Sequence, residues 1–233
     1  MNKFFDYLET DLPDCIIREL LHYIRRFAAA LAGDIPVEGK MGRYAFCASA
    51  QEGGRVRVHW VQVGRERIAV VGTTKGEKVD TMVRLMEMGG YDRVIAFCNT
   101  KNMTDRLAGL LQMNGVEAKA IHGDIPQRAR EATLKKFKEG KLRVLVATDV
   151  AARGLDIDDV DVVFNYDVPD EQEYYIHRIG RTGRAKRHGV AYTLVATVTE
   201  GVRMKEIIRT TRSEVQLLKY DKDGCLMLVE PEA

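Results

Sequence analysis

From Gly76 to Ser213 the chain switches back and forth between two hydrophobic periods, and that alternation leaves few folds open. Short continuous apolar runs such as Val94-Ile-Ala-Phe-Cys98 are separated by longer stretches with apolar residues every three or four positions. The first kind reads as a strand buried on both faces, the second as an amphipathic helix. The pattern predicts helices over 76–88, 101–113, 127–138, 170–179 and 199–213, and strands over 94–98, 117–121, 143–147, 160–165 and 189–196. Strands and helices in alternation build a mostly parallel sheet covered on both faces, a three-layer α/β domain.

Ligands of such sheets gather at the carboxyl ends of the strands, so the loops that matter can be named in advance. They are Asn99-Thr100-Lys101, the stretch His122-Gly123-Asp124 through Gln127 and Arg130, and Thr148-Asp149 through Arg153-Gly154-Leu155-Asp156. All are rich in hydroxyl, amide, guanidinium and glycine groups, which suit a sugar-phosphate backbone. Taken singly each is weak, because a strand-to-helix loop needs a cap such as Thr148 or Asp124 in any case. A fourth stretch is stronger. In His177-Arg178-Ile179-Gly180-Arg181-Thr182-Gly183-Arg184 arginine recurs every third residue, and from Arg178 to His188 there are five Lys or Arg and no carboxylate. Such a cluster repels itself unless an anion neutralises it, and the planar guanidinium fits phosphate oxygens.

Upstream the signals change. Residues 14–32 have helical period, with an Asp14 cap and a Gly33 stop, and suit either packing on their own domain or a partner-binding, possible homodimer helix. The stretch Gly33 to Met41 approaches a phosphate-binding P-loop, but its glycines are one residue too far apart and Met41 stands where a hydroxyl must hold magnesium. Arg55–Val63 alternates at strand period, Gly64-Arg65-Glu66 looks like a turn, and Ile68–Val71 is a second short strand, so a β-hairpin is expected. Trp60, Arg55, Arg57 and His59 would then offer a stacking and basic face, or ordinary sheet packing.

Composition narrows the partners. With 36 basic against 34 acidic residues the net charge is only +2, so any affinity for nucleic acid must come from local patches. Four cysteines lack metal or redox spacing, and five histidines lack a His-x-x-x-His pair, so no metal site is expected. With no signal-peptide stretch and no long apolar run, a cytoplasmic location is expected.

Phe97-Cys-Asn-Thr100, His122-Gly-Asp with Gln127 and Arg130, Val146-Ala-Thr-Asp-Val-Ala-Ala-Arg-Gly-Leu-Asp-Ile157 and His177 to Arg184 together resemble motifs IV, IVa, V and VI of the DEAD-box ATP-dependent RNA helicases, in order and spacing. The likeness covers about residues 66–213 and implies the second, C-terminal RecA-like domain of that family, a P-loop NTPase-like fold. Residues 1–65 would be an N-terminal extension of helix and hairpin, and 214–233 a tail with room for a short strand. The resemblance implies that Arg181 and Arg184 are arginine fingers on the γ-phosphate of ATP and that Asp156 meets the ribose. It implies further that Thr100, Gly123, Gln127, Arg130 and Thr148 form the RNA side, with His177 at the interdomain seam near Gln127.

The departure from the family is as informative. The P-loop lysine, the magnesium-binding acidic strand end and the catalytic glutamate belong to a first RecA-like domain, and nothing before residue 66 resembles it. ATP and Mg2+ are therefore expected only in complex with such a domain, met in cis or in trans, and the chain alone is not expected to hydrolyse ATP. Two readings stand: half of an RNA helicase, or a stand-alone, non-catalytic RNA-binding or regulatory module.

Overall fold

The computed structural model describes residues 37–41, 44–51, 55–62, 67–153, 155, 157, 160–182, 189–220 and 226–229. The chain divides into two compact units, Met1–Gly64 with Leu218–Ala233, and Arg65–Leu217. The predicted helix over 14–32 lies outside the described residues.

In the smaller unit β1 (Val37–Met41), β2 (Tyr44–Gln51) and β3 (Arg55–Gln62) form an antiparallel ladder in that order. Residues 37–41 of the would-be P-loop are thus extended backbone, with Gly39 opposite Phe46 and Lys40 opposite Ala45, and the rest of it lies outside the described residues. The expected hairpin needs correcting in one respect. The antiparallel partner of Arg55–Gln62 is Tyr44–Gln51, whereas the next strand, β4 (Arg67–Gly72), runs parallel to Val190–Val195 in the larger unit. The face expected of Trp60, Arg55, Arg57 and His59 rests on side chains outside the described residues.

The larger unit continues with α1 (Lys78–Gly89), β5 (Val94–Phe97), α2 (Lys101–Met113), β6 (Ala118–Ile121) and α3 (Gln127–Lys138). Then come β7 (Val144–Ala147), the single turn α4 (Asp149–Ala152), β8 (Val162–Asn165), α5 (Gln172–Ile179), β9 (Val190–Val195) and α6 (Val198–Thr211). The bounds of α2 and α3 are those expected to the residue. At the carboxyl end of the chain β10 (Gln216–Tyr220) pairs antiparallel with β11 (Leu226–Leu228).

The strands of this unit lie in the order β4-β9-β8-β5-β7-β6, every neighbouring pair parallel. β5 and β7 are buried at every position, which is why their sequences are continuously apolar, and β8, equally buried, ends on Asn165, whose amide donates to Thr193 at 3.0 Å. One face packs Phe97, Ile121, Phe137, Leu145 and Val163 into a core, and a second core holds Val70, Val168, Tyr175, Met204 and Ile207. Helix ends follow local chemistry. α1 stops at Gly90, whose φ of 61° is costly for a residue with a Cβ. α6 opens with a capping box in which Thr197 accepts from Glu200 N and the Glu200 carboxylate accepts from Thr197 N.

Candidate functional site

The strand order places the site. The chain leaves β5 for the β6 edge, returns to β7, then crosses over β5 to reach β8 on its other side. A reversal of this kind opens a crevice at the carboxyl ends of the strands. The residues delivered there are Asn99 just after β5, Asp149 just after β7 and Asp167 just after β8.

Arg178 of α5 fills the crevice. Its Nε and Nη2 each donate at 2.7 Å to the two oxygens of Asp149, Nη1 donates to the Asp167 carbonyl at 2.7 Å, and Nη2 also reaches the Asn99 side-chain oxygen at 2.9 Å. The guanidinium stands 5.3 Å from the centre of the Phe97 ring. At 1% exposure it could not stay charged without such partners. Of the three arginines in the basic run, the first is therefore an internal tie between three loops.

Arg181, one turn on, behaves differently. Its Nη1 donates to the Leu155 carbonyl at 3.2 Å, and the residue lines a cleft of about 120 Å³ together with Phe97, Asp149, Ala152, Arg153, Tyr174, His177 and Arg178. The loop holding it is pinned at both sides. Val160 N donates to the Arg181 carbonyl at 3.3 Å, and Thr182 Oγ1 donates to the Val160 carbonyl at 2.7 Å. Arg153 lies across the Tyr174 ring at 5.6 Å, so one wall of the cleft is a stacked cation and aromatic. Arg184 and Asp156 lie outside the described residues.

The residues expected on the RNA side are half-occupied by local work. Thr100 caps α2, accepting from Met103 N at 3.2 Å, and Thr148 caps α4, accepting from Ala151 N at 3.4 Å. Gln127 donates to Glu131 at 2.8 Å, and no hydrogen bond joins it to His177. Arg130 reaches the Ala151 carbonyl at 3.3 Å and Gln127 at 3.4 Å, while its Nε is buried without a partner. These bonds still gather the loops in pairs. Arg130 joins the turn after β6 to the turn after β7. Lys101 pairs with Asp124 at 2.5 Å, tying Thr100 to the exposed Gly123 and holding the Asp124 carboxyl below its usual range. His122, buried, meets both Asp105 oxygens at 3.0 Å.

A second buried cluster was not anticipated. Lys78, 5% exposed, donates to the Tyr166 carbonyl at 2.8 Å and to Glu200 at 2.7 Å, with an Asp167 oxygen 4.0 Å away. Burial pushes the Asp167 carboxyl up, against the pull of the Asn99 amide and the Lys78 ammonium. For Glu200 burial also pushes up, but Lys78 and the amides of Ala196 and Thr197 outweigh it and the carboxyl sits below its ordinary value. Asp167 thus connects this cluster to the Arg178 tie: its carbonyl faces Arg178 and one carboxylate oxygen accepts from Asn99 N at 3.1 Å.

A parallel sheet with helices on both faces, its strand ends drawn together by a buried arginine and bordered by a second arginine on an open cleft, is a RecA-like domain. Comparison with known proteins specifies it further. The family model described as the helicase conserved C-terminal domain matches residues 77–186. The ATP-dependent RNA helicase CshA of Listeria monocytogenes is 48% identical over 143 residues, 61% of this chain and 27% of that protein. Among solved structures, the C-terminal domain of the DEAD-box protein Dbp5 superposes with a TM-score of 0.60 at 32% identity, covering 66% of this chain and 89% of that one. The E. coli DEAD-box protein SrmB, solved bound to regulator of ribonuclease activity A, gives 0.62 at 33% identity, covering 65% and 89%. The chain belongs to the DEAD-box RNA helicase family, of which it carries the C-terminal RecA-like domain. It spans under a third of the length of the curated relatives it matches.

Proposed function

We propose that the larger unit is the second half of an ATP-dependent RNA helicase and acts with a first RecA-like domain, in cis or in trans. Arg181 and Arg184 serve as the fingers that stabilise charge on the γ-phosphate, Asp156 accepts from the ribose, and His177 stands at the seam between domains. Thr100, Gly123, Gln127, Arg130 and Thr148 line the path of the RNA backbone. The observation that carries the reading is the position of Arg181, which lines an open cleft beside His177 and Arg178, in a loop pinned at both sides. Preorganised cations of this kind lower the barrier to phosphoryl transfer because they need no rearrangement as charge builds.

ATP supplies the phosphoanhydride bond whose hydrolysis drives the cycle, and the guanidinium of Arg181 is chemically suited to its terminal phosphate. This reading assigns Mg2+ to the partner domain.

The test is complementation. RNA-stimulated ATP hydrolysis is measured for the chain alone and after adding a separate first RecA-like domain. The chain alone should be inactive and the mixture active, with Arg181→Ala and Arg184→Ala each lowering the rate ~10³-fold or more. Robust activity that survives both substitutions would refute the finger assignment.

A further inference from the structure

Two residues of the cleft are used by nothing above. Arg153, exposed, and Tyr174, half-buried, line it together with His177 and Arg181, and the Arg153 guanidinium stands 5.6 Å from the centre of the Tyr174 ring. Among the described residues no hydrogen bond or ion pair engages that guanidinium. Asp149, the one carboxylate among the described residues lining the cleft, is already held by two nitrogens of Arg178. Arg153 is therefore a permanent cation at the cleft with no counter-charge of its own.

Backbone and side chain of Arg153 are held by different elements. Arg153 N donates to the Asp149 carbonyl at 3.0 Å, and the residue leaves the single turn of α4 in extended conformation, with φ −67° and ψ 128°. The long side chain then has the Tyr174 ring to rest on. Tyr174, His177 and Arg178 follow one another at helical spacing on α5, so the ring is carried on the stripe that also supplies the cleft's other groups. The Tyr174 hydroxyl makes no hydrogen bond among the described residues, which leaves the ring as the part in use.

We infer that Tyr174 is a positioning residue: the face of its ring holds the Arg153 guanidinium at the cleft, ready to receive an oxyanion. Stacking on an aromatic face draws on the charge of a guanidinium and not on the N–H donors along its edge, which stay free to pair a phosphate or carboxylate at two points. A side chain ordered in advance also loses less freedom when its ligand arrives. Where the oxyanion comes from, a nucleotide phosphate or a carboxylate of the first RecA-like domain, rests on the helicase reading; the positioning rests on the stack alone.

The measurement follows the Arg153 Nε–Hε resonance of the full chain, isotope-labelled in arginine and assigned by its absence from Arg153→Gln, while inorganic pyrophosphate is titrated at low salt. In the wild-type chain the resonance should carry a ring-current shift and move as pyrophosphate binds. Tyr174→Leu should abolish the ring-current shift and weaken the affinity read at Arg153 about two- to fivefold, the worth of an exposed cation–aromatic contact. Tyr174→Phe, which puts the ring back without the hydroxyl, should restore both. In the Arg153→Gln background, calorimetry should find no further loss of pyrophosphate affinity from Tyr174→Leu, because Tyr174 acts only through that guanidinium. An Arg153 resonance indifferent to pyrophosphate, equal affinity in the wild type and Tyr174→Leu, or the same loss from Tyr174→Leu with Arg153 already replaced would overturn the proposal. Adding a separate first RecA-like domain tells the two sources apart: a shift of the Arg153 resonance without nucleotide marks a carboxylate, a shift only with nucleotide marks a phosphate, and either supports the positioning. If the mixture hydrolyses no ATP while Arg153 still answers to pyrophosphate through Tyr174, the helicase reading falls and the positioning stands.

Discussion

Replacing Arg178 by Met removes a guanidinium that is 1% exposed and leaves the Asp149 carboxylate, 15% exposed, facing the space. Four hydrogen bonds go with it, two of them charged and bidentate. Deleting one partner of a buried ion pair costs about 3–5 kcal/mol, chiefly because the surviving charge is left uncompensated. For a unit the size of Arg65–Leu217, each kcal/mol moves the melting temperature about 2–4 °C, so the fall should be about 6–20 °C. Asp149→Leu should be costly for the mirror-image reason. The double variant has no stranded charge, and its cost should undershoot the sum of the singles by about 2–3 kcal/mol. Chemical denaturation followed by circular dichroism reads all four corners of the cycle, since every described helix lies in the larger unit. A single-variant loss below about 1 kcal/mol, or a coupling below about 0.5 kcal/mol, would refute the view that Arg178 is an internal tie.

Four further outcomes follow from other groups of the larger unit. Thr197→Ala opens the capping box of α6 and should cost about 0.5–2 kcal/mol in the same denaturation assay. Glu200→Gln deprives the nearly buried Lys78 of its nearest counter-charge and should cost about 1–3 kcal/mol at neutral pH. Because the Glu200 carboxyl is held below its ordinary 4.5, its contribution is fully present above that pH and lost as pH falls through the lower folded value, so the wild-type and Gln stability curves should converge in acid. Asp167, held above its ordinary 3.8, works in the opposite sense, and Asp167→Asn should remove a loss of stability that sets in as pH rises through the raised value. Cys98 is fully buried and its thiol is pushed well up by burial, so peptide mapping after alkylation should find it unmodified until the larger unit unfolds.

What could be read before the fold was known, and what could not, divides along a physical line. α2 and α3 ended where expected because their limits are local: Thr100 supplies a cap hydrogen bond, and Pro126 precedes the first turn of α3. β5 and β7 were legible because a strand buried on both faces is apolar throughout, and β8 because its first three residues are. The pairing of β3 was misread although a signal existed. Arg55–Gln62 alternates polar and apolar, as a sheet with one wet face requires, whereas Ile68–Val71 is continuously apolar, as a strand inside a parallel sheet requires. Strands of such different character rarely share a hairpin, and the turn-like Gly64-Arg65-Glu66 between them concealed the break.

The role of Arg178 was legible only in part. It stands three residues after Tyr175, the two fully buried residues of α5, so the helical stripe already ran through it. What no stripe can show is whether acceptors wait at the other end, and those come from Asn99, Asp149 and Asp167, separated from it by up to 79 residues of chain. Counting charges along the run from Arg178 to Arg184 therefore overstates the cationic character available to a ligand, because Arg178 is already paired. The same tie explains why the neighbouring positive charge can sit where it does. With its first guanidinium neutralised by Asp149, α5 leads into Arg181 at the cleft without a bare like charge one turn behind it.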